Sequence, residues 1–206
     1  MLAVLGWNDG TEQEIYSIEE MIEKFSMARV HKAGARFDYE KAKWFNHEWI
    51  KKLNVENLQI KVKETLQAEN IKITDEQLLQ KVIELVKDRC ILLTDFIQQA
   101  GYFFTAPLQY DEASVKPKWG DDKKDFFEQL TSELKTTNDS TAENMEQVFK
   151  TLASQKNIKV GELQMIFRVM LVGSKMGPAV FAIAQAIGKE ETINRIKNAI
   201  KIFQPD

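Results

Sequence analysis

The sequence predicts an all-α protein, and three observations support this fold class. Apolar residues recur at the three- and four-residue spacing of an α-helix along most of the chain, as in Val55, Leu58 and Val62. Residues that cap helices stand directly before these periodic runs. Segments of alternating apolar and polar residues, which would indicate strands, are weak, and residues 72–74 are too few to form one.

In the amino-terminal half, the helix starts are indicated by capping residues. Ser17, with a glutamate three positions on, is a capping box in which each side chain binds the backbone N–H of the other residue. Asp38 and Asn54 are predicted N-caps of the next two helices, because their side chains can accept bonds from the unpaired N–H groups of the first turn. A second capping box is predicted to begin at Thr74.

In the rest of the chain, glycine and proline indicate the helix boundaries. Gly101 is predicted to end a short helix, and Gly173 and Gly188 to end two later ones. Pro178 is predicted in a first helical turn, where its missing N–H would be unpaired anyway. Segment 105–120 contains prolines and no steady period, which indicates an ordered loop between two helical units. The helices predicted after it span residues 122–134, 141–155, 160–172, 178–187 and 190–203.

The composition is ordinary for a globular chain. The hydrophobic share is 44% and the charged share 29%. No stretch approaches the roughly 18 apolar residues of a membrane span, and the opening residues predict no signal peptide. The single cysteine, Cys90, excludes an internal disulfide and fits a reducing compartment.

The formal net charge of −3 gives no overall basic signal, but the charge is unevenly distributed. Basic residues outnumber acidic ones in segments 28–52 and 150–201, whereas segments 1–27 and 111–146 are acidic. A protein that binds nucleic acid on one side only has such a distribution. Random variation along a chain produces it too, so charge alone leaves both interpretations open.

The sequence carries no recognisable pattern for catalysis or metal binding. Its two histidines, His31 and His47, lie in different segments, and with one cysteine they cannot build a convincing zinc site. Neither common type of glycine-rich phosphate loop is present, and Cys90 has no histidine near it in sequence. Acidic pairs such as Asp121 and Asp122 flank predicted helix starts, where negative charge favours the helix dipole. The residues alone therefore predict a protein that is not an enzyme.

Short islands of sequence at both ends of the chain form one ordered set. In the amino-terminal part they are Leu5-Gly6-Trp7-Asn8, residues 25–38, and Trp44-Phe45-Asn46 with Trp49-Ile50. In the carboxyl-terminal part they are Val160-Gly161-Glu162-Leu163, Arg168, Gly173, Gly177-Pro178 and Ile187-Gly188-Lys189-Glu190. In this order and spacing they resemble the bacterial glutamyl-tRNA synthetases, a class I family, and the resemblance covers essentially the whole chain.

The resemblance implies a function in tRNA binding. The family joins glutamate to its tRNA with ATP and magnesium, using a His-x-Gly-His-type motif and a Lys-Met-Ser-Lys-Ser-type loop. Neither motif occurs here, so we expect the carboxyl-terminal part of a longer enzyme, with no catalytic residue, no metal ligand and no cofactor in this part. The implied partner is glutamate tRNA, in the cytoplasm. We expect neither DNA nor a membrane as a partner, and a monomer.

The resemblance also implies three regions. Residues 1–53 correspond to a small stem-contacting region that follows the catalytic domain. Residues 54–120 and 121–206 correspond to two helical subdomains that form an anticodon-binding cage. This helical cage agrees with the all-α prediction made from periodicity, whereas the related glutaminyl enzymes of the eukaryotic type use β-barrels for the same task.

Two arginines are the leading candidates for anticodon contacts, because they align with arginines of the family. Arg89 aligns with one that reads the third anticodon nucleotide, and a guanidinium offers several fixed donors to base edges or phosphate. Arg168 aligns with one that contacts the anticodon loop. The structural alternatives are that Arg89 neutralises a helix end or pairs with Asp88 or Asp95, and that Arg168 forms an internal ion pair with an acid such as Glu162.

The resemblance also implies anticodon contacts for four residues of a loop and helix start beside the anticodon bases. They are Gly177, Pro178, Val180 and Phe181. A helix start offers unpaired N–H groups to RNA, and apolar side chains offer faces on which bases stack. The structural alternative is that Val180 and Phe181 belong to the core. Some relatives carry a hydroxyl-bearing residue where this chain has Gly177, so the base discrimination of this chain can differ from theirs.

Five further basic residues are candidates for contacts to the phosphates of the tRNA stem, which position RNA without reading its sequence. For each of them a solvated surface position is the alternative. They are Arg29, Lys32, Arg36, Lys41 and Lys43. The competing function for the whole chain is a helical protein-interaction domain without RNA specificity, and clustering of Arg89, Arg168 and Phe181 on one open concave face would argue against it.

Overall fold

A computed structural model describes residues 5–31 and 36–203, and its described part is all-α as predicted. Short 3₁₀ turns at Met27–Arg29, Lys87–Arg89 and Lys116–Lys118 lie between the α-helices. The α-helices in the described residues are α1 (Ile18–Lys24), α2 (Tyr39–Lys52), α3 (Val55–Ala68), α4 (Glu76–Val86), α5 (Asp95–Phe104), α6 (Glu112–Val115), α7 (Asp121–Thr136), α8 (Ala142–Gln155), α9 (Val160–Val172), α10 (Val180–Ile187) and α11 (Lys189–Phe203).

Most predicted helix starts are confirmed by their caps. The capping box of Ser17 is present, and the side chains of Asp38 and Asn54 cap α2 and α3. The prediction for α4 was wrong by one residue. Its N-cap is Asp75 rather than Thr74, because the Asp75 carboxylate accepts bonds from two first-turn N–H groups, at Gln77 and Leu78.

Two further boundary predictions were wrong. Gly101 does not end α5 but lies inside it, because the position is buried and a Cβ there would stand 2.9 Å from Ile71 Cδ1. Pro178 lies before α10 rather than in its first turn, since Ala179 is the N-cap. The segment predicted as a loop, 105–120, contains the short helix α6 and a 3₁₀ turn. Gly173 and Gly188 end their helices as predicted.

The helices form two groups that share one continuous hydrophobic core. Helices α3 to α5 contact one another, and α7 to α11 form the second group, which meets the first through α10 and α5. Aromatic rings fill the second group, where Phe149 lies 5.5 Å from Phe167 and 5.3 Å from Phe181 between ring centroids. The region boundaries after residues 53 and 120 stay a prediction. No helix in the described part of the chain is long and apolar enough to cross a membrane.

A buried arginine links the two groups. Arg195 of α11 is 2% exposed, and its Nη1 donates to the carbonyl oxygens of Tyr102 and Leu171, each at 2.7 Å. These carbonyls lie in the last turns of α5 and α9, where helical carbonyls have no partner within the helix. Glu191, one turn earlier on α11, accepts from Arg195 Nε at 2.7 Å and balances the charge.

The segment before α7 is held against the end of α9. Gly173 has a φ of +80°, and a Cβ there would stand 2.5 Å from the carbonyl oxygen of Gln109. The Gly173 carbonyl in turn accepts from the backbone N–H of Asp111 at 2.8 Å. A residue with a side chain would separate these two backbones, so glycine is required here for close approach as well as for its positive φ.

The amino-terminal residues have a small core of their own. Trp7 is buried against Tyr16 and Phe25, and a single antiparallel bridge joins it to Val30. The buried Asp9 carboxylate accepts bonds from Thr11, at 2.6 Å from its hydroxyl and 2.9 Å from its N–H, and from Lys24 at 3.0 Å.

Helix α2 is docked on the turn that follows α4. His47 Nδ1 lies 3.0 Å from the carbonyl oxygen of Cys90, and Asn46 donates to that of Ile91. Both acceptors stand directly after the 3₁₀ turn Lys87–Arg89, so α2 fixes the position of the segment that carries Arg89.

Replacing Arg195 with alanine is expected to destabilise the fold. The change leaves two buried helix-end carbonyls and Glu191 without their donor, a loss of about 3 kcal/mol or more in the free energy of unfolding. Urea denaturation, monitored by circular dichroism, measures this loss of stability. The matched control is Lys197→Ala on the same helix, where the side chain is exposed and a change within about 0.5 kcal/mol is expected. Equal effects of both variants would contradict the role given to Arg195.

The amino-terminal core is expected to loosen in acid because of Asp9. Hydrogen bonds from Thr11 and Lys24 hold the pKa of Asp9 below its ordinary value. A lowered folded-state pKa stabilises the segment fully at pH values above the unfolded pKa of about 4, and this contribution is lost progressively as the pH falls from there through the folded-state pKa. Hydrogen–deuterium exchange of peptides from residues 5–31 should therefore accelerate below about pH 4 relative to an Asp9→Asn variant. If the ratio of the exchange rates of the two proteins stayed constant from pH 6 to pH 3, this expectation would be contradicted.

Candidate nucleic-acid interface

Arg89 is presented at the surface by the turn that follows α4. It is the last residue of the 3₁₀ turn and its side chain is exposed. Asp95, one of its suggested partners, instead accepts bonds from the backbone N–H groups of Ile91 and Leu92, at 2.7 and 2.9 Å. Within the described residues no carboxylate lies within ion-pair distance of Arg89. Its guanidinium donors are therefore available to a ligand.

Arg168 is half-buried near the end of α9. Its Nη1 donates to the carbonyl oxygen of Gly177 at 2.9 Å and also to that of Pro178. The internal ion pair considered from the sequence is absent from the described part of the chain, because Glu162 pairs with Lys123 at 3.1 Å. Arg168 thus holds the loop before α10 through Nη1, and its Nε and Nη2 groups have no acceptor among the described residues.

The structure brings Arg89 and Arg168 close to Tyr102 of α5, and we call the surroundings of these three side chains the recess. Burial, and then the like charge of Arg89, lower the pKa of the Arg168 guanidinium. Burial raises the pKa of the Tyr102 phenol to about 12, although the positive charges of Arg89 and Arg168 act to lower it. Among the described residues no carboxylate forms an ion pair with either arginine, so these side chains and the Tyr102 phenol offer hydrogen-bond donors.

Gly177 lines the same recess. It has a φ of +154°, and a Cβ placed on it would lie 3.6 Å from both Arg168 Nη1 and the Tyr102 hydroxyl oxygen. These are ordinary contact distances, so Gly177 is favoured here by its positive φ and not by lack of space. Pro178, the next residue, is buried.

Val180 and Phe181 are not exposed in the recess. They are 4% and 6% exposed, and the ring of Phe181 packs on Phe149 and Phe167. Their packing fixes the start of α10, and with it the position of Gly177 and Pro178. In this structure they position the loop and do not present a stacking surface.

The candidate phosphate-binding residues differ in how many partners they already have. Lys41 pairs with Glu14, and Lys43 lies 2.8 Å from Glu40, both on the surface. Arg29 donates to the carbonyl oxygen of Asp9. Arg36 is exposed and has no hydrogen bond or ion pair with the described residues. Lys32 lies outside the described residues.

Two residues important to the recess were missed from the sequence, although both had a detectable signal. Tyr102 carries the polar atom in the apolar run 100–104. Arg195 is a lone cation on the apolar face of α11, one turn after the buried Thr192 and one turn before the buried Ala199. A polar group on an otherwise buried face needs a specific partner, which is the pattern that identifies both.

Donors from both helical groups thus lie close together around Tyr102, an arrangement that suits the acceptor atoms of a nucleic acid. The family comparison agrees, because a model described as "Anticodon binding domain" matches residues 39–200. The chain belongs to the anticodon-binding domain family and matches the carboxyl-terminal part of glutamate–tRNA ligases.

The similar proteins are bacterial enzymes. A glutamate–tRNA ligase of Flavobacterium psychrophilum is 43% identical over 97% of this chain and 39% of its own length. One from Porphyromonas gingivalis is 38% identical over 98% of the chain and 40% of its own length.

Solved structures agree with these sequence matches. The crystal structure of a glutamate–tRNA ligase from Elizabethkingia meningosepticum, in complex with its amino acid, superposes with a TM-score of 0.90 at 35% identity. The match covers 98% of this chain and 40% of that one. The chain therefore spans about two fifths of the length of the relatives it matches.

The thiol beside Arg89 provides a chemical reporter of the recess. Cys90 is fully buried, and burial, followed by the charge of Asp95, raises its pKa to about 12. A thiol reagent at pH 8 is therefore expected to leave the folded protein unmodified, because little thiolate forms and none is exposed. Absorbance with a disulfide reagent, with and without guanidinium chloride, measures this. Modification of the folded protein as fast as of the unfolded one would contradict the burial of this turn.

Proposed function

We propose that this chain recognises the anticodon loop of glutamate tRNA, as the carboxyl-terminal part of a glutamate–tRNA ligase. The observation that carries the proposal is the placement of Arg89 and Arg168 near Tyr102, with no ion-pair partner for either arginine among the described residues. The match of residues 39–200 to the anticodon-binding domain family and the similarity to glutamate–tRNA ligases support it.

Recognition then rests on fixed donors. Arg89 directs its unpaired guanidinium at a base edge or at the neighbouring phosphate, and Arg168 holds Gly177 and Pro178 while its remaining N–H groups face the ligand. Single-stranded loops suit such a recess, because their unpaired bases expose their hydrogen-bonding edges.

The stem contacts belong to the amino-terminal region in this proposal. Arg36, which has no partner among the described residues, is the leading candidate for a phosphate contact, together with Lys32. Lys41, Lys43 and Arg29 contribute to the local potential, although each already has an acceptor within the chain.

The ligation chemistry belongs to the rest of such an enzyme. The described residues contain no group of three or more His, Cys, Asp or Glu side chains that could hold a metal ion. ATP and magnesium, which the resemblance implies for the full-length enzyme, belong to the rest of that enzyme in this proposal, and no reaction step is derived from these residues. A monomer in the cytoplasm that binds glutamate tRNA, and neither DNA nor a membrane, completes the proposal.

One observation favours the second candidate, a helical protein-interaction domain. Helix α1 and the turn after it expose Ile18, Ile22 and Met27, which are 63%, 74% and 75% exposed. Apolar side chains that cluster at a surface mark protein contacts. Such a contact would leave the arginine recess without a role, so binding of RNA separates the two candidates.

The test is a fluorescence titration of the chain with glutamate tRNA and with the same tRNA carrying an exchanged anticodon. Wild type is expected to prefer the native anticodon, and Arg89→Ala to weaken that binding about ten-fold or more through the loss of a base-edge contact. Lys150→Ala is the matched control, because Lys150 is a surface cation already paired with Glu146 at 2.7 Å. It should change the affinity less than about two-fold.

Other results would contradict the proposal in identifiable ways. Equal, salt-sensitive binding of both tRNAs would leave only a non-specific basic surface. Loss of affinity in Lys150→Ala equal to that in Arg89→Ala would place the binding site elsewhere. An absence of binding at low salt would favour the protein-interaction candidate.

A further inference from the structure

Two loops next to the recess expose large apolar side chains. Leu108, in the loop after α5, is 91% exposed, the largest value among the large apolar side chains of the described residues. Met176, in the loop before α10, is 68% exposed. Isolated apolar side chains at a surface are common, whereas apolar groups that lie together beside a binding site mark a contact with a ligand. The relative position of the two loops therefore matters.

The two loops lie side by side. A Cβ built on Gly173 would stand 2.5 Å from the carbonyl oxygen of Gln109 and 3.0 Å from Pro107 Cβ. Gln109 and Pro107 are the two neighbours of Leu108 in the chain, and Gly173 comes three residues before Met176. The backbone that carries Leu108 is thus in contact with the start of the turn that carries Met176.

The turn that carries Met176 is itself fixed and adjoins the recess. The backbone N–H of Met176 donates to the Ser174 hydroxyl at 3.1 Å. The next residue, Gly177, lines the recess, and its carbonyl oxygen accepts from Arg168 Nη1 at 2.9 Å. The backbone is therefore held on both sides of an exposed apolar side chain. A side chain presented in this way loses little backbone freedom when a ligand binds to it.

A cation lies between the two loops. Lys175 is exposed and directly precedes Met176. Hydrogen bonds from Ser114, and then the positive charge of Lys175, lower the pKa of Asp111, which follows the loop of Leu108. The charge of Lys175 therefore acts across both loops. Proteins bind unpaired nucleotides with this combination, in which cations follow the phosphates and side chains with flat or apolar surfaces contact the bases.

We propose that Leu108 and Met176 form an apolar platform that packs against the face of one unpaired base of the anticodon loop, beside the donors of the recess. The inference rests on the proposed anticodon recognition and adds a subsite to it. Leucine and methionine are among the side chains that proteins place against or between bases. Val180 and Phe181 are buried, so they leave this contact to the platform, which is continuous with the recess through Gly177.

The experiment uses RNA hairpins with the anticodon loop of glutamate tRNA, both complete and in a series in which each loop nucleotide in turn is abasic. Affinities at several salt concentrations and melting temperatures are measured for wild type, Arg89→Ala, Leu108→Ser and Met176→Ser. Met176→Leu is included because it keeps an apolar side chain at the same position.

The matched control is Ile60→Ser. Ile60 of α3 is also an exposed apolar residue, at 66%, but it is distant from the recess. Its neighbour Gln59 donates to Glu76 at the start of α4, whereas Arg89 follows the end of that helix. Ile60→Ser should therefore bind every hairpin as wild type does.

Leu108→Ser and Met176→Ser are each expected to bind the complete hairpin about three- to ten-fold more weakly, because apolar contact area is lost. Met176→Leu should bind as wild type does. On the hairpin that lacks the packed base, both serine variants should also match wild type, since the partner is already missing. The dependence of affinity on salt should stay unchanged, because no phosphate contact is removed. Melting temperatures should stay within about 2 °C, since both side chains are exposed in the free protein.

The outcomes separate this inference from the function on which it rests. If Arg89→Ala weakens anticodon-dependent binding while both serine variants bind every hairpin as wild type does, this inference alone is overturned. Equal losses on all hairpins, abasic ones included, place the contact outside the bases and overturn it too. If wild type does not discriminate between the hairpins and Arg89→Ala has no effect, the anticodon function fails and the inference fails with it.

A second copy of the chain is the other occupant that the platform could have. Sedimentation of the free proteins tests it, and a monomer is expected for wild type and for both serine variants. A wild-type dimer that Leu108→Ser or Met176→Ser dissociates would make the platform an interface between copies, and the inference would be overturned.

Discussion

The arrangement of this molecule depends on one buried cation. Arg195 donates to the carbonyl oxygens of Tyr102 and Leu171, which lie at the ends of two helices in different groups, while Glu191 balances its charge. A cation at a helix carboxyl terminus is favoured by the unpaired carbonyls and by the helix dipole. Here one guanidinium binds carbonyls at the carboxyl ends of two helices, α5 and α9. The main chain of Tyr102 is thereby fixed relative to α9, and the recess exists because of that fixed relation.

Each wall of the recess comes from a different element, so its geometry is a property of the packing between them. Arg89 follows α4, Tyr102 is in the last turn of α5, Arg168 is in α9, and Gly177 precedes α10. The aromatic core around Phe149 holds α9 and α10 in register. The amide of Asn46 and the ring of His47 hold the turn that carries Arg89. The donors converge because rigid elements direct them, and preorganisation of this kind favours selective binding.

The fold class and most helix boundaries followed from the sequence, because helix caps and periodicity act over a few residues. Errors arose where tertiary contacts override these rules, as at Gly101, which is buried inside a helix with the Ile71 side chain packed against it. The two arginines could be named through a family resemblance, but nothing local indicated that they share a recess. Arg195 and Tyr102 are 93 residues apart, and no pattern in the sequence states that they meet.

The separation between Arg195 and Tyr102 has a consequence for the order in which the protein assembles. Contacts within a helical group close short loops and can form early, whereas a bond across 93 residues closes a long loop and forms late. Both α5 and α9 precede α11 in the chain, so the nascent chain contains both arginines of the recess before the cation that fixes the relation between α5 and α9. The relative position of these two helices is therefore fixed in a late step of folding, not gradually as the helices appear.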